Sequence, residues 1–301
     1  MKLSLIIGLL FVCLKSYSNS NDTNSNHKKV IIIGIDGVRS DMIQDTVAPN
    51  LYQFSQLKET YFNPKHKTEK KTWSGPNWSS ICTGVHMKKH KVKGNTFIRT
   101  KFKKHPHFFS YINDLDTTNN LNLISIVHWR PINGQVGAEK YADLASKGKM
   151  SDKEVRDTAL SIIANDAPIS PDVLFLHFDD VDHAGHSHQF SLMDKHYRTA
   201  MKTTDEYVGS IIDAVSARKK TTKEDWLIIV ISDHGGVKGS HGNGNKHPEV
   251  GNTILFLNHQ SLDKTKINGS NMVDIVPTVL SFMGLYPEKI QSKFDGQPLE
   301  Y

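Results

Sequence analysis

Cysteine is almost missing from this sequence. One of its two cysteines, Cys13, lies in an N-terminal apolar leader, and Cys82 stands alone in the rest. With the leader removed, no intramolecular disulfide is possible, so stability has to come from a packed core. Long apolar runs are also missing. The longest is residues 3–14, about 12 residues against the ~18–20 that span a bilayer, so no transmembrane anchor is expected. Internal repeats and composition breaks that would split the chain are absent, as is any nucleic-acid-binding motif. Of the 301 residues, 38% are hydrophobic and 23% charged, enough for one large globular domain.

Lys2, the apolar run and then small and polar residues to Ser20 read as a secretory signal peptide over residues 1–20. The mature chain is therefore expected in a periplasm or outside the cell. Cys13 is disfavoured as a lipid-attachment site because the bulky Phe11 and Val12 precede it. The formal net charge is +6, and it reads as a dispersed surplus with denser patches at 65–71 and 88–104. The bland account is a solvated face; the sharper one is attraction of anionic substrates.

Short apolar runs over 30–35, 123–127, 172–178, 226–231 and 253–257 read as buried strands. Between them, 46–58, 77–84, 151–164, 192–217 and 272–283 read as helices, with a capping-box pattern opening the third at Ser151. This alternation predicts an α/β fold with a mostly parallel central sheet and helices on both faces. One domain over residues 21–301 is the simplest organisation, with the weakly patterned stretch 95–150 forming a small cap over the strand ends.

In open α/β sheets, ligands bind just past the carboxyl ends of strands. Three predicted strands end on ligand-type residues. The first ends on Asp36, the run at 172–178 leads to Asp182-His-Ala-Gly-His186, and the run at 226–231 leads to Asp233-His234-Gly-Gly, with His241 framed by glycines shortly after. Each alone reads as an ordinary polar loop. As a set, three acids and three histidines at strand ends can hold two zinc-type ions and leave positions open for substrate. A fourth element, Ser74-Gly-Pro-Asn77, puts a hydroxyl at the start of a short helix, a place suited to phosphate.

These motifs resemble the alkaline phosphatase superfamily, and within it the type I phosphodiesterase/nucleotide pyrophosphatase branch. The resemblance runs from about residue 30 to 299. It rests on Gly34-Ile-Asp-Gly, Ser74-Gly-Pro-Asn with Thr83-Gly84, Asp182-x-x-Gly-His186, Ser232-Asp-His-Gly-Gly and Gly239-x-His-Gly, with a tail of Val273-Asp-Ile-Val-Pro-Thr and Asp295-Gly-Gln-Pro-Leu. It implies one zinc on Asp36, Ser74, Asp233 and His234, and a second on Asp182, His186 and His241. Ser74 is implied as the nucleophile of an in-line displacement at phosphorus through a phosphoseryl intermediate, with Thr72 as the competing choice. Asn77, with the Gly75 amide, is implied as donor to a non-bridging phosphate oxygen.

The implied activity is hydrolysis of small phosphate esters, diesters or nucleotide pyrophosphates before monoesters, because no arginine or third-metal cluster of the monoesterase type is evident. Trp78 stands where sulfatases place an arginine, which argues against sulfatase chemistry. A non-catalytic, metal-stabilised binding protein is the alternative from another class.

Overall fold

A computed structural model describes residues 27–118, 120–242 and 244–299. The expected signal peptide, residues 1–20 with Cys13, lies outside the described residues. Seven strands form one sheet: β1 (His27–Ile35), β2 (Thr60–Lys67), β3 (Leu123–Val127), β4 (Leu144–Ala145), β5 (Val173–Phe178), β6 (Glu224–Ile231) and β7 (Asn252–Asn258). Their order is β2-β7-β6-β1-β5-β3-β4. From β6 to β4 all neighbours are parallel, while β7 runs antiparallel to both β6 and β2.

Strand β1 sits at the centre, and its side chains divide between two cores. Val30 and Ile32 pack with Trp78, Cys82, Phe108 and Val279, on the face carrying helices Ser74–Thr83, Phe108–Leu115 and Ile275–Phe282. Ile31, Ile33 and Ile35 pack on the other face with helices Pro49–Gln56, Asp152–Ile163 and Lys195–Thr221. This is the two-sided cover that continuous apolar strands require. The capping box expected at Ser151 is present, with Glu154 as its partner.

Two elements carry no clear sequence signal. Strand β2 contains Pro64 and a register shift between Asn63 and His66, both tolerated because it is a sheet edge. Helix Phe108–Leu115 lies in the stretch that showed no period, yet Phe108, Phe109 and Ile112 are buried. Residues 95–150 thus supply a core helix and strands β3 and β4, as well as Asn95 and Trp129, which reach a cleft beyond the strand ends.

Candidate active site

Parallel pairing brings the ends of three adjacent strands to one level. Gly34 of β1 lies opposite His177 of β5 and Ile231 of β6, so the residues just beyond these strands converge. Asp36 comes directly after β1, and Asp233 and His234 after β6. Asp182 and His186 arrive one helical turn apart on the helix Asp180–Ser187 rather than on the loop their glycine suggested. His241 comes from the turn after Gly239.

The three histidines are oriented in the same way. Nδ1 of His186 lies 3.1 Å from the Gly239 carbonyl, Nδ1 of His234 lies 2.9 Å from the Gly235 carbonyl, and Nδ1 of His241 lies 2.5 Å from the Thr72 carbonyl. A carbonyl only accepts, so each Nδ1 carries a proton, and in the neutral ring each Nε2 then presents a lone pair, the arrangement a metal-ligating histidine needs. These lone pairs meet the acids: His234 Nε2 is 3.3 Å from Asp36 Oδ1 and 3.3 Å from Asp233 Oδ2, and His186 Nε2 is 3.5 Å from Asp182 Oδ2.

Five of the six expected donors fall in two groups, Asp36/Asp182/His234 and Asp182/His186/His241, within which the ligand atoms lie within 4.8 Å of one another, and Asp182 is common to both. Asp233 joins the first group through its contact with His234. Three buried carboxylate oxygens here, Asp36 Oδ1, Asp182 Oδ1 and Asp233 Oδ2, have no hydrogen-bond partner among the described residues. Burial first, and then the Asp36 charge, raises the carboxyl groups of Asp182 and Asp233 well above the usual range. Orphaned, crowded carboxylates facing imidazole lone pairs fit a pair of divalent cations, and the mixed nitrogen and oxygen donors suit zinc.

Behind the ligands lies a layer that the sequence motifs did not mark. Trp78 Nε1 donates to Asp36 Oδ2 at 2.7 Å, and His177 Nε2 lies 3.3 Å from the same oxygen. Burial pushes the Asp36 carboxyl up, but His177, the nearby His234 and the Trp78 donor outweigh it and hold the group below its usual range. Gly34 makes this possible, since a Cβ there would fall 2.5 Å from the Trp78 ring. The motif glycines Gly185 and Gly236 similarly flank the Phe190 ring, where a Cβ on either would come within 2.3 Å. The one sequence hint of this layer was His177, a histidine inside an otherwise apolar strand.

Ser74 is the first residue of its helix, not the N-cap, which is Trp73. Its Oγ lies 3.4 Å from His234 Nε2. The cleft around it, of about 250 Å³, is lined by Trp73, Asn95, Trp129, Asp182, His186 and His241 among others. No lysine or arginine lines it among the described residues.

One sequence expectation needs correction, and the competing choice for the nucleophile falls away. Asn77 does not reach the cleft: its amide donates to the carbonyls of Lys71 (3.1 Å) and Trp73 (2.8 Å), and its oxygen accepts from Glu69 N–H at 2.8 Å. Thr72 is equally committed, donating to the His241 carbonyl and accepting from Gly244 N–H, which leaves it a brace for the His241 turn. The asparagine that enters the cleft is Asn95, whose Oδ1 accepts from Gly75 N–H at 2.8 Å and whose amide NH2 is thereby left for a ligand. Nothing in the unpatterned lysine-rich stretch around it signalled this.

Comparison with known proteins identifies the family. The family model of type I phosphodiesterase / nucleotide pyrophosphatase matches residues 30–293. Bovine bis(5'-adenosyl)-triphosphatase is 24% identical over 253 residues, covering 77% of this chain and 53% of its own length. The chain spans about half the length of the curated relatives it matches. Among solved structures, murine ectonucleotide pyrophosphatase/phosphodiesterase 5, an inactive form in complex with AMP, superposes with a TM-score of 0.65 at 12% identity, covering 85% of this chain and 95% of that one. An alkaline phosphatase superfamily protein from Vibrio parahaemolyticus gives 0.60 at 14% identity, covering 86% and 67%. At such identities the structural likeness is one of fold.

Proposed function

The chain belongs to the type I phosphodiesterase/nucleotide pyrophosphatase family, and from that premise we propose that it is a secreted two-zinc hydrolase of phosphodiesters or nucleotide pyrophosphates with Ser74 as nucleophile. The observation that carries this reading is the convergence of three partnerless carboxylate oxygens and three imidazole lone pairs beside one serine hydroxyl. Asp36, Asp233, His234 and the Ser74 hydroxyl would hold one ion, and Asp182, His186 and His241 the other. When bound, the two cations would favour the Ser74 alkoxide and offset charge on the phosphoryl group and leaving oxygen.

The chain's own groups do the rest. Ser74 Oγ, its proton lost, forms a bond to phosphorus in line with the breaking bond to the leaving oxygen, which departs as an alcohol or phosphate; the resulting seryl phosphodiester still carries the substrate's other substituent, and water then cleaves its bond to Ser74. Asn95 donates its amide N–H to a non-bridging phosphate oxygen, held in that orientation by Gly75 N–H. The indoles of Trp73 and Trp129 wall the cleft and limit water. A cleft lining without lysine or arginine among the described residues favours a diester, which carries one charge at phosphorus, over a monoester dianion.

Turnover of bis-p-nitrophenyl phosphate against p-nitrophenyl phosphate in zinc tests the substrate class; a faster monoester rate rejects the diester assignment. Ser74→Ala tests the nucleophile, with turnover expected to vanish while His234 and the carboxylates still retain zinc. Near-wild-type turnover by that variant removes Ser74 from its role.

A further inference from the structure

The positive charge is not dispersed. Residues 88–104 contain eight lysines and arginines and no acid, more than the whole chain's net +6, so the remainder is net acidic. Of these eight, only Lys89 has a carboxylate partner among the described residues, Asp295 at 2.7 Å. Lys91, Lys93, Arg99 and Lys101 line one shallow surface groove together with Ile98.

Ile98 is 69% exposed, and the backbone holds it there. Phe97 (φ +52°) and Arg99 (φ +57°) on either side are both left-handed, a conformation that is costly for residues other than glycine. Phe97 turns inward instead, with ring centroids 6.4 Å from Phe102 and 5.9 Å from Trp129. An aliphatic side chain is thus held out in water on a fixed loop and surrounded by cations. The same loop carries Asn95, and Trp129 is a wall of the cleft, so this surface borders the catalytic mouth.

We propose that the 88–104 loop docks on an anionic lipid bilayer, with Ile98 entering the interface and Lys91, Lys93, Arg99 and Lys101 meeting lipid phosphates. Lysines and arginines beside an anionic surface each add about fivefold to binding, and a small apolar insertion fixes the depth. A linear polyanion such as a nucleic acid would account for the cations but not for the outward isoleucine. Docking would deliver phosphodiester headgroups to the cleft, a consequence that rests on the proposed activity.

Co-sedimentation with phosphatidylcholine vesicles, with and without about a third phosphatidylserine, tests the proposal without reference to turnover. The zinc-loaded protein is expected to bind only the anionic vesicles, more weakly as salt rises. Ile98→Asp is expected to lower that binding about tenfold or more, and the Lys91→Ala/Lys93→Ala/Arg99→Ala/Lys101→Ala variant by about a hundredfold or more. Both are expected to keep wild-type turnover of soluble bis-p-nitrophenyl phosphate. If the fourfold variant fails to fold, Ile98→Asp decides alone, because its side chain is outside the core. Equal binding to neutral vesicles overturns the proposal. So does unchanged anionic-vesicle binding by Ile98→Asp, as does binding of a single-stranded 20-mer oligonucleotide in place of vesicles. Loss of hydrolysis with vesicle binding intact would count against the proposed function and leave the docking surface standing.

Discussion

The Nε2 atoms of His186 and His241 face each other at 2.9 Å. Each ring's Nδ1 proton is already given to a carbonyl, so with both rings neutral the two Nε2 atoms present opposed lone pairs. A shared cation removes that repulsion. Chelation is therefore expected to destabilise the protein and zinc to restore it. Saturating one site at about 100 times its Kd adds about 3 kcal/mol, or an upward shift of about 5–10 °C for a chain of this size. Differential scanning fluorimetry with EDTA and then excess zinc measures it, and an unchanged transition would show that the facing histidines hold no ion.

The two asparagines near Ser74 separate by phenotype. Asn95→Ala removes a cleft donor and is expected to lower turnover about 10²–10³-fold with little change in unfolding. Asn77→Ala leaves the Lys71 carbonyl and the Glu69 N–H without their side-chain partner, while the Trp73 carbonyl keeps only the Asn77 backbone N–H, and is expected to destabilise by about 2 kcal/mol. Parallel kinetics and urea unfolding of both variants check the pair; the reverse pattern would return the phosphate-binding role to Asn77.

The same contrast separates the legible residues from the hidden ones. Runs such as Leu227–Ile231 identify buried strands because they are apolar on both faces, and parallel pairing then forces the residues after each strand to one edge. Asp36, Asp182, His186, Asp233, His234 and His241 were legible for that reason. Asn77 was placed at the phosphate because it is close to Ser74 in sequence. A helical side chain leans towards the preceding turn, however, and this one meets the incoming 69–73 segment. Asn95 reaches the cleft only by tertiary closure of a loop without period, and the edge strand β2 is disguised by Pro64.

Trp78 touches the proposed metal site through Asp36. Trp78→Phe keeps most of the packing around the indole but removes the 2.7 Å hydrogen bond that fixes Asp36 Oδ2. Zinc affinity is expected to fall about tenfold or more, read by competition with a chromogenic chelator. Unaltered affinity would mean that His177 alone orients the carboxylate.

Buried histidines far from the cleft contribute to acid sensitivity alongside the cleft's own. Burial pushes His66 and His107 down to about 3, and His90, chiefly by burial, down to about 4. All three are neutral in the folded chain at pH values where the unfolded chain, titrating near 6.5, binds protons. The unfolded state thus holds more protons between about pH 6.5 and 3, so folding stability is complete above 6.5 and falls as pH drops through that window, by about 1 kcal/mol per pH unit for each histidine. His107 caps its helix by accepting from Phe109 N–H, a role serine can fill. His107→Ser is therefore expected to lower stability at pH 7 through lost packing against Phe108, Phe109 and Phe175, yet to lose less on going from pH 6 to 5 than the parent does. Urea unfolding of the zinc-free proteins at pH 7, 6 and 5 measures this slope, and because the ligand histidines are common to both, the difference between parent and variant belongs to His107. Identical slopes in parent and variant would mean that His107 titrates alike in both states and its burial has no part in acid unfolding.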